Sequence, residues 1–265
     1  MNRIFIQGDV HGKPIDELSF KKHKELRETD REDIVIFLGD FGIPFGIKHP
    51  AYEKQYYKED RYQARWLNAQ PYTSLVLLGN HDDRDAISEM PIVKKFNAQM
   101  RQLSFCGETY ENIFIIDKPQ ILNIYSKKCL VIGGAKSHDI AAGILDPSEK
   151  DFKDKLKYRR KAEIHTRVNH WNWWEDEDVD VEAVLDLLDN HKNEHFDLVL
   201  THDCPTEFFT AATFYGAAPT DAEKLFSMIA ANYDFEEWYH GHMHKDIDYG
   251  IDKKIHCCYH ILKEI

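Results

Sequence analysis

Short apolar runs alternate with longer amphipathic stretches along most of this chain. The runs at 34–38 and 75–78 have the length of buried strands, whereas 51–69 has the periodicity of a helix. This alternation predicts βαβ units with parallel strand pairing in the N-terminal half. The predicted helices cover 14–29, 51–69, 83–89, 148–165, 179–192 and 221–231. The predicted strands cover 3–7, 34–39, 74–79, 113–116, 121–125, 129–132, 196–201, 246–250 and 255–261.

The distribution of these elements predicts one α/β domain over 1–265, with strands before and after the central helices. Two packed sheets with helices outside account for that order. The three short strands within 112–133, separated by polar breaks, predict a meander. The charged stretch inside 140–180 predicts a helical insert that forms a cap. The chain contains no internal repeat or Pro/Ser-rich linker that would divide it.

Five polar motifs follow strand-like segments, and each supplies Asp, His or Asn. They read GDVHG (8–12), GDFG (39–42), GNHD (79–82), THD (201–203) and GHMH (241–244). The carboxyl ends of strands are where open α/β sheets bind ligands. In four motifs a glycine directly precedes a candidate ligand, which allows a sharp turn beside a crowded centre. The repetition predicts one convergent site rather than five unrelated turns.

The donor types in these motifs predict a site for two metal ions. A tetrahedral zinc usually takes four donors, and the motifs offer more than that. Carboxylates and imidazoles without thiolates suit Mn, Fe, Zn, Co or Ni. Two such ions can share a hydroxide and clamp the oxygens of an in-line displacement, which suits phosphate ester hydrolysis. The candidate metal ligands are Asp9, His11, Asp40, Asn80, His202, His242 and His244.

The motif set resembles that of the calcineurin-like metallophosphoesterases. Their pattern is Asp-x-His, Gly-Asp, Gly-Asn-His-Asp/Glu, a lone His and Gly-His-x-His, and the matching motifs span 8–244 here. The resemblance implies an α/β fold, a four-layer α/β/β/α sandwich of two mixed sheets flanked by helices. It also implies a binuclear metal-dependent phosphoesterase, in which a metal-bridging hydroxide attacks phosphorus in line.

The same resemblance implies a role for each motif residue. Asp40 bridges the two ions. His81 faces the substrate and protonates the leaving oxygen or stabilises charge, and Asp82 orients His81 and keeps it protonated. The first ion takes Asp9, His11, Asp40 and His244, and the second takes Asp40, Asn80, His202 and His242.

The stretch 133–180 contains further candidates. It combines Gly-Gly-Ala-x-Ser-x-Asp, an Arg and Trp-Trp-x-x-Glu, as some bacterial and phage-type members of the family do. In a purely structural interpretation, its tryptophans pack the insert onto the sandwich. The candidate substrate-binding residues are Arg160, Arg167, His138 and Asp139.

Two alternatives stay open from the sequence. A nucleotide phosphodiesterase or nuclease would use the same donors, and a non-catalytic scaffold would use the same fold. A dedicated phosphoprotein phosphatase is disfavoured, because that branch extends the second motif to an Arg that is missing after Asp40. Assays on a monoester and a diester would separate the enzyme classes.

Composition and charge limit the partners. The chain is 43% hydrophobic and 30% charged, and its formal net charge is −12. Such an acidic surface disfavours long nucleic acid, whereas a small phosphorylated substrate, including a nucleotide, fits two cations.

No apolar run approaches the ~20 residues of a membrane span, and the first strand starts at once, so we expect a cytoplasmic protein. The five cysteines lack a Cys-x-x-Cys pair and are expected to be reduced. The sequence does not predict an oligomeric state.

Overall fold

The computed structural model describes residues 2–192, 194–208 and 218–265. Its principal helices are α1 (Pro14–Leu18), α2 (Tyr57–Asn68), α3 (Arg84–Ser88), α4 (Phe152–Lys161), α5 (Val181–Asp189) and α6 (Asp221–Asn232). The strands of the first half are β1 (Ile4–Gln7), β2 (Ile34–Phe37), β3 (Thr73–Leu77), β4 (Ile92–Lys95), β5 (Ala98–Phe105), β6 (Glu108–Ile116), β7 (Gln120–Ile124) and β8 (Lys127–Ile132). The strands of the second half are β9 (Ile144–Leu145), β10 (Arg167–Val168), β11 (His195–Thr201), β12 (Asp234–His240), β13 (Ile247–Tyr249), β14 (Ile255–Cys257) and β15 (Lys263–Glu264).

All the described strands except β9 and β10 form two mixed sheets, as the sequence predicted. The first has the order β15-β1-β2-β3-β6-β5-β4, and the second has the order β13-β14-β12-β11-β8-β7. Strands β1, β2, β3 and β6 are parallel, and so are β8, β11, β12 and β14. Antiparallel strands flank each parallel centre. The parallel centres carry the motif loops at their carboxyl ends.

Three buried clusters lie between four layers, which confirms the α/β/β/α sandwich. One cluster packs α2 and α3 on the outer face of the first sheet, including Leu67 and Ile87. A second cluster lies between the two sheets, and a third packs α5 and α6 on the outer face of the second sheet. Strands of a parallel centre are covered on both faces, so their sequences are continuously apolar. None of the described helices is both long enough and apolar enough to span a lipid bilayer.

The predicted meander over 112–133 is wrong. Its first strand belongs to β6 of the first sheet, which pairs with β3 and β5, whereas β7 and β8 form a hairpin in the second sheet. The hairpin of β4 and β5 was not predicted at all. Its turn residues Phe96 and Asn97 both have positive φ, as a tight hairpin turn requires. Neither turn position is a glycine, and only Asn97 is a usual turn residue, so the sequence signal is weak.

Several predicted helices are shorter in the structure. The stretch 14–29 contains α1 and a separate 3₁₀ turn at Lys24–Glu28 rather than one helix. A π-helical turn at Tyr52–Tyr56 precedes α2. The segment 140–180 is helical only at α4, and the short parallel pair of β9 and β10 flanks that helix. Leu145, Phe152 and Val168 form a small apolar cluster of their own there.

Candidate metal centre

The loops after β1, β2, β3, β11 and β12 meet at one edge of the sandwich. Both sheets direct the carboxyl ends of these parallel strands to that edge. The approach is so close that Gly79 has no room for a side chain. A Cβ there would overlap Asp40 Oδ1 and lie 2.7 Å from His202 Nε2. The glycine in the GNHD motif therefore permits contact between groups supplied by different sheets.

The first group of donors combines two carboxylates and two imidazoles. Ligand atoms of Asp9, His11, Asp40 and His244 all lie within 4.8 Å of one another. His11 Nε2 is 2.9 Å from His244 Nε2, and His244 Nε2 is 3.0 Å from Asp9 Oδ2. Both carboxylates are buried, whereas the His11 and His244 side chains are 36% and 47% exposed. Solvent and small solutes therefore reach this group from the histidine side.

A second group of donors shares Asp40 with the first. Ligand atoms of Asp40, His202 and His242 lie within 4.8 Å of one another. His202 Nε2 is 3.3 Å from both Asp40 Oδ1 and Asn80 Oδ1. The Asn80 amide donates to Ser137 Oγ at 3.1 Å, so its carbonyl oxygen is the atom turned toward the group. The structure thus brings all the predicted metal ligands together, with Asp40 in the middle.

Two buried atoms in these groups, Asp9 Oδ2 and His242 Nε2, make no well-aligned hydrogen bond. The polar atom beside Asp9 Oδ2 is His244 Nε2, at 3.0 Å, which belongs to the same donor group. Desolvating a carboxylate oxygen or an imidazole nitrogen without a partner costs about 1–3 kcal/mol or more. A bound divalent cation would satisfy both atoms, since oxygen and imidazole donors suit it chemically. The residues present therefore fit a metal centre.

The charges of Asp40, His202 and His242 shift one another's pKa values. Burial alone would raise the pKa of Asp40, but the attraction of His202 lowers this pKa far below its usual range. Burial would likewise lower the pKa of His202, but Asp40 raises it to about 10. Burial and the neighbouring His202 hold the pKa of His242 well below its ordinary value. A cation would take over the stabilising positive charge, and metal binding would then release the proton of His202.

His81 lies beside the first group and contacts a buried arginine. Its ring centroid is 5.6 Å from that of His11, and its Nε2 is 3.1 Å from Arg167 Nη2. Asp139 holds Arg167 by two 2.8 Å hydrogen bonds to Nε and Nη2. A guanidinium only donates, so His81 Nε2 accepts this hydrogen bond. Burial lowers the pKa of His81, while Asp40 opposes that shift.

The predicted role of Asp82 differs from its observed contacts. Its two carboxylate oxygens accept hydrogen bonds from the backbone N–H groups of Gly42 and Gly79, at 2.8 and 2.7 Å. It therefore fixes the loops that carry Asp40 and Asn80 instead of orienting the His81 ring. The sequence neighbour of His81 is bound to backbone, and the groups around the His81 ring come from residues distant in sequence.

The other predicted substrate-binding residues are divided between two places. His138 is exposed, and its ring centroid is 5.2 Å from that of His242, so it borders the metal centre. Asp139 reaches the site through Arg167. Arg160 is exposed on α4 and lines a different cavity, beside Phe45 and Gly46. Arg167, rather than Arg160, is thus the arginine that contacts the centre.

Three residues that the sequence did not single out support the centre. Ser137 accepts from Asn80 and has its own backbone N–H bound by Glu177 at 2.8 Å. Arg84 donates to the backbone oxygens of Gly79 and Glu177, at 3.1 and 3.0 Å. These contacts clamp the GNHD loop against the Gly-Gly-Ala and Trp-Trp loops. In the sequence, the motif Trp-Trp-x-x-Glu, whose glutamate is Glu177, was the feature that could have predicted these contacts.

Among solved structures, the chain is similar to the phosphopantetheinyl hydrolase of Mycobacterium tuberculosis, with 10% identity and a TM-score of 0.43. That alignment covers 97% of this chain and 90% of the other. Likeness at this level carries no argument about the substrate. None of the curated proteins matches the chain.

The family comparison agrees with the motifs. The model described as calcineurin-like phosphoesterase matches residues 2–246, which include every motif of the metal centre. The donors of these motifs converge from both sheets on Asp40. The chain therefore belongs to the calcineurin-like phosphoesterase family.

Proposed function

We propose that the protein is a binuclear metal-dependent phosphoesterase that hydrolyses small phosphate esters. The observation that carries this proposal is the pair of donor groups that share Asp40 and leave two buried ligand atoms unsatisfied. A scaffold protein would gain nothing from keeping such groups unpaired in its interior. The formal net charge of −12 favours a small anionic substrate over long nucleic acid.

The residues divide into those that hold cations and those that meet the substrate. Two divalent cations at this centre would supply positive charge that acidifies water and stabilises phosphoryl oxygens. Asp9, His11, Asp40 and His244 would hold one of them, and Asp40, Asn80, His202 and His242 would hold the other. Each cation would be Mn, Fe, Zn, Co or Ni, since all of these metals accept carboxylate and imidazole donors.

His81 and Arg167 are placed to act on the ester itself. Hydrolysis breaks the P–O bond to the alcohol, forms a P–O bond to the oxygen of water, and delivers a proton to the leaving oxygen. Arg167 is fixed by Asp139 and presents its Nη2 next to His81 Nε2. A phosphoryl oxygen that enters here takes the Nη2 N–H of Arg167 that is directed at His81, because a charged donor bonds strongly to a phosphoryl oxygen. His81 Nε2 is then free to carry a proton to the leaving oxygen.

Two substitutions test this assignment. Asp40→Asn should lose most of its bound metal and its activity together, because the shared carboxylate is missing from both groups. His81→Ala should keep its metal but slow turnover by roughly 10²–10⁴-fold, as removal of a general acid does. Elemental analysis and phosphate release on manganese-reconstituted protein measure both quantities. Asp189→Asn, at an exposed carboxylate on α5 outside both donor groups, is the control. Full metal content in Asp40→Asn would contradict the proposal.

The reaction class is decided by parallel assays. The same donor set serves monoesters and diesters, so p-nitrophenyl phosphate and bis-p-nitrophenyl phosphate should be compared at equal metal loading. We expect the monoester to be preferred, because its phosphoryl group can carry one more negative charge than that of a diester and Arg167 places a guanidinium beside His81. Preference for the diester would favour the nucleotide phosphodiesterase alternative.

A further inference from the structure

Two neighbouring cavities lie beside the metal centre and share two lining residues. The first, of about 250 Å³, is bordered by His11 and His81 and by Phe45 and Tyr56. The second, of about 330 Å³, shares Phe45 and Tyr56 but contains no residue of the metal centre. These two aromatic residues therefore stand at the boundary between the two chambers. The other principal residues of the second chamber are His49, Leu156, Arg160, Ile164, Val168 and Trp171.

The second chamber has packed walls. The Trp171 ring is 4.5 Å from that of His49 and 5.3 Å from that of Phe152, measured between centroids. A Cβ at Gly46 would lie 2.6 Å from Trp171 O, so the loop after β2 and the insert meet at close range. Walls that are already packed lose little entropy when a ligand binds. The chamber is thus preformed, and its size suits a small-molecule site.

Charge is distributed unequally between the chambers. Glu59, Asp60 and Lys13 border the first chamber, where two carboxylates outnumber one ammonium group. Arg160 borders the second chamber, and its guanidinium makes no ion pair with any described residue. An anionic group would gain an interaction with Arg160, whereas the aromatic boundary at Phe45 and Tyr56 suits a neutral, apolar segment.

We propose that the substrate is a phosphate ester with an extended apolar organic part that carries a second anionic group. This inference rests on the proposed function. The phosphate lies at the metal centre beside His81, and the apolar segment passes between Phe45 and Tyr56. The second anion meets Arg160 in the outer chamber. Since α4 supplies Arg160, the insert determines specificity rather than chemistry.

A series of alkyl phosphates tests the subsite with leaving groups of similar basicity. The substrates are ethyl phosphate, hexyl phosphate and 6-(phosphonooxy)hexanoate, and the readout is kcat/KM from phosphate release. We expect about tenfold higher kcat/KM for hexyl than for ethyl phosphate, because added methylenes become buried. The terminal carboxylate should add roughly another five- to tenfold through Arg160.

Matched variants separate the two contributions. Arg160→Glu should abolish the advantage of the carboxylate substrate over hexyl phosphate, whereas Lys157→Glu, an exposed charge on the same helix, should leave that ratio unchanged. Tyr56→Ala should reduce the advantage of hexyl over ethyl phosphate. Tyr62→Ala is its control, since Tyr62 is 61% exposed and borders neither chamber.

The outcomes distinguish the subsite from the proposed function. Equal kcat/KM for all three esters would overturn the subsite and leave the phosphoesterase intact. Hydrolysis of none of them would contradict the phosphoesterase, and calorimetry with phosphonates on manganese-loaded protein then decides the subsite. Tighter binding of 6-phosphonohexanoate than of methylphosphonate, lost in Arg160→Glu, would support it. Equal binding of the two phosphonates would overturn it.

Discussion

At the residue scale, one buried carboxyl group outside the metal centre, that of Asp60, has an unusual pKa. Asp60 is nearly inaccessible, and burial raises its pKa to about 6. One of its oxygens, Oδ2, accepts hydrogen bonds from both the Tyr52 hydroxyl and the Phe45 backbone N–H, at 2.8 and 3.2 Å. The second oxygen is therefore available for a proton. Asp60 thereby holds the Phe45 backbone in place at the cavity. When it is protonated, its side chain carries no negative charge in the interior.

This carboxyl makes stability depend on pH. Because the folded state binds the Asp60 proton more tightly than the unfolded chain does, its contribution falls as pH rises from about 4 to 6. Asp60→Asn should remove that fall, since its amide oxygen keeps both hydrogen bonds. We expect the variant to gain about 1–3 kcal/mol relative to wild type between pH 4 and pH 7. Urea unfolding at several pH values measures the gain, with the exposed Asp189→Asn as control. A pH-independent difference would contradict the argument.

Residue types predicted which candidate metal ligands converge better than they predicted the contacts between side chains. Each donor follows a strand directly, so local sequence was sufficient to name Asp9, Asp40 and His202. Asp82 was assigned to His81 because the two are adjacent, yet its oxygens bind backbone N–H groups. The partner that His81 does have, Arg167, is 86 residues away in sequence. Adjacency in sequence does not determine which way a side chain points.

At the element scale, buried strands were predictable and exposed ones were not. Strands β2 and β3 are covered on both faces, so their sequences are continuously apolar and easily recognised. Strand β4 alternates between exposed and partly buried positions, and no such run marks it. Strand β6 was placed in the wrong sheet because sheet membership depends on pairing with β3 and β5, which local sequence does not encode.

The insert should be separable from the core. Its apolar residues Leu145 and Phe152 pack in a small cluster of their own, outside the three main clusters. Replacing 141–165 with a short Gly-Ser linker should therefore lower Tm by only a few degrees, since few core contacts are lost. The preference for hexyl over ethyl phosphate should disappear, because α4 walls the outer chamber.

Thermal unfolding and the kcat/KM ratio of the two esters check this prediction together. Loss of cooperative unfolding in the deletion variant would show that 141–165 belongs to the folding core. An unchanged ester ratio would show that the outer chamber does not bind substrate.

At the scale of the whole molecule, the metal centre joins the two sheets. Asp9, Asp40 and Asn80 come from the first sheet, and His202 and His242 come from the second. The unfolded chain cannot assemble donors that are so far apart in sequence. Cations that bind only the folded state stabilise it by an amount set by their concentration relative to Kd. Cations bound at this centre would therefore also help to hold the two sheets together.

Removal of metal should consequently destabilise the protein. A cation at 100 times its Kd adds about 2.7 kcal/mol, which corresponds to roughly 5–10 °C in Tm for a chain of this size. Scanning calorimetry with manganese and with EDTA should show this difference for wild type, and Asp40→Asn should show little. An equal shift in Asp40→Asn would place the stabilising ion elsewhere. The exposed group of His195, Asp197 and Glu236 at the opposite end of the second sheet would then be the first place to look, by substitution of His195.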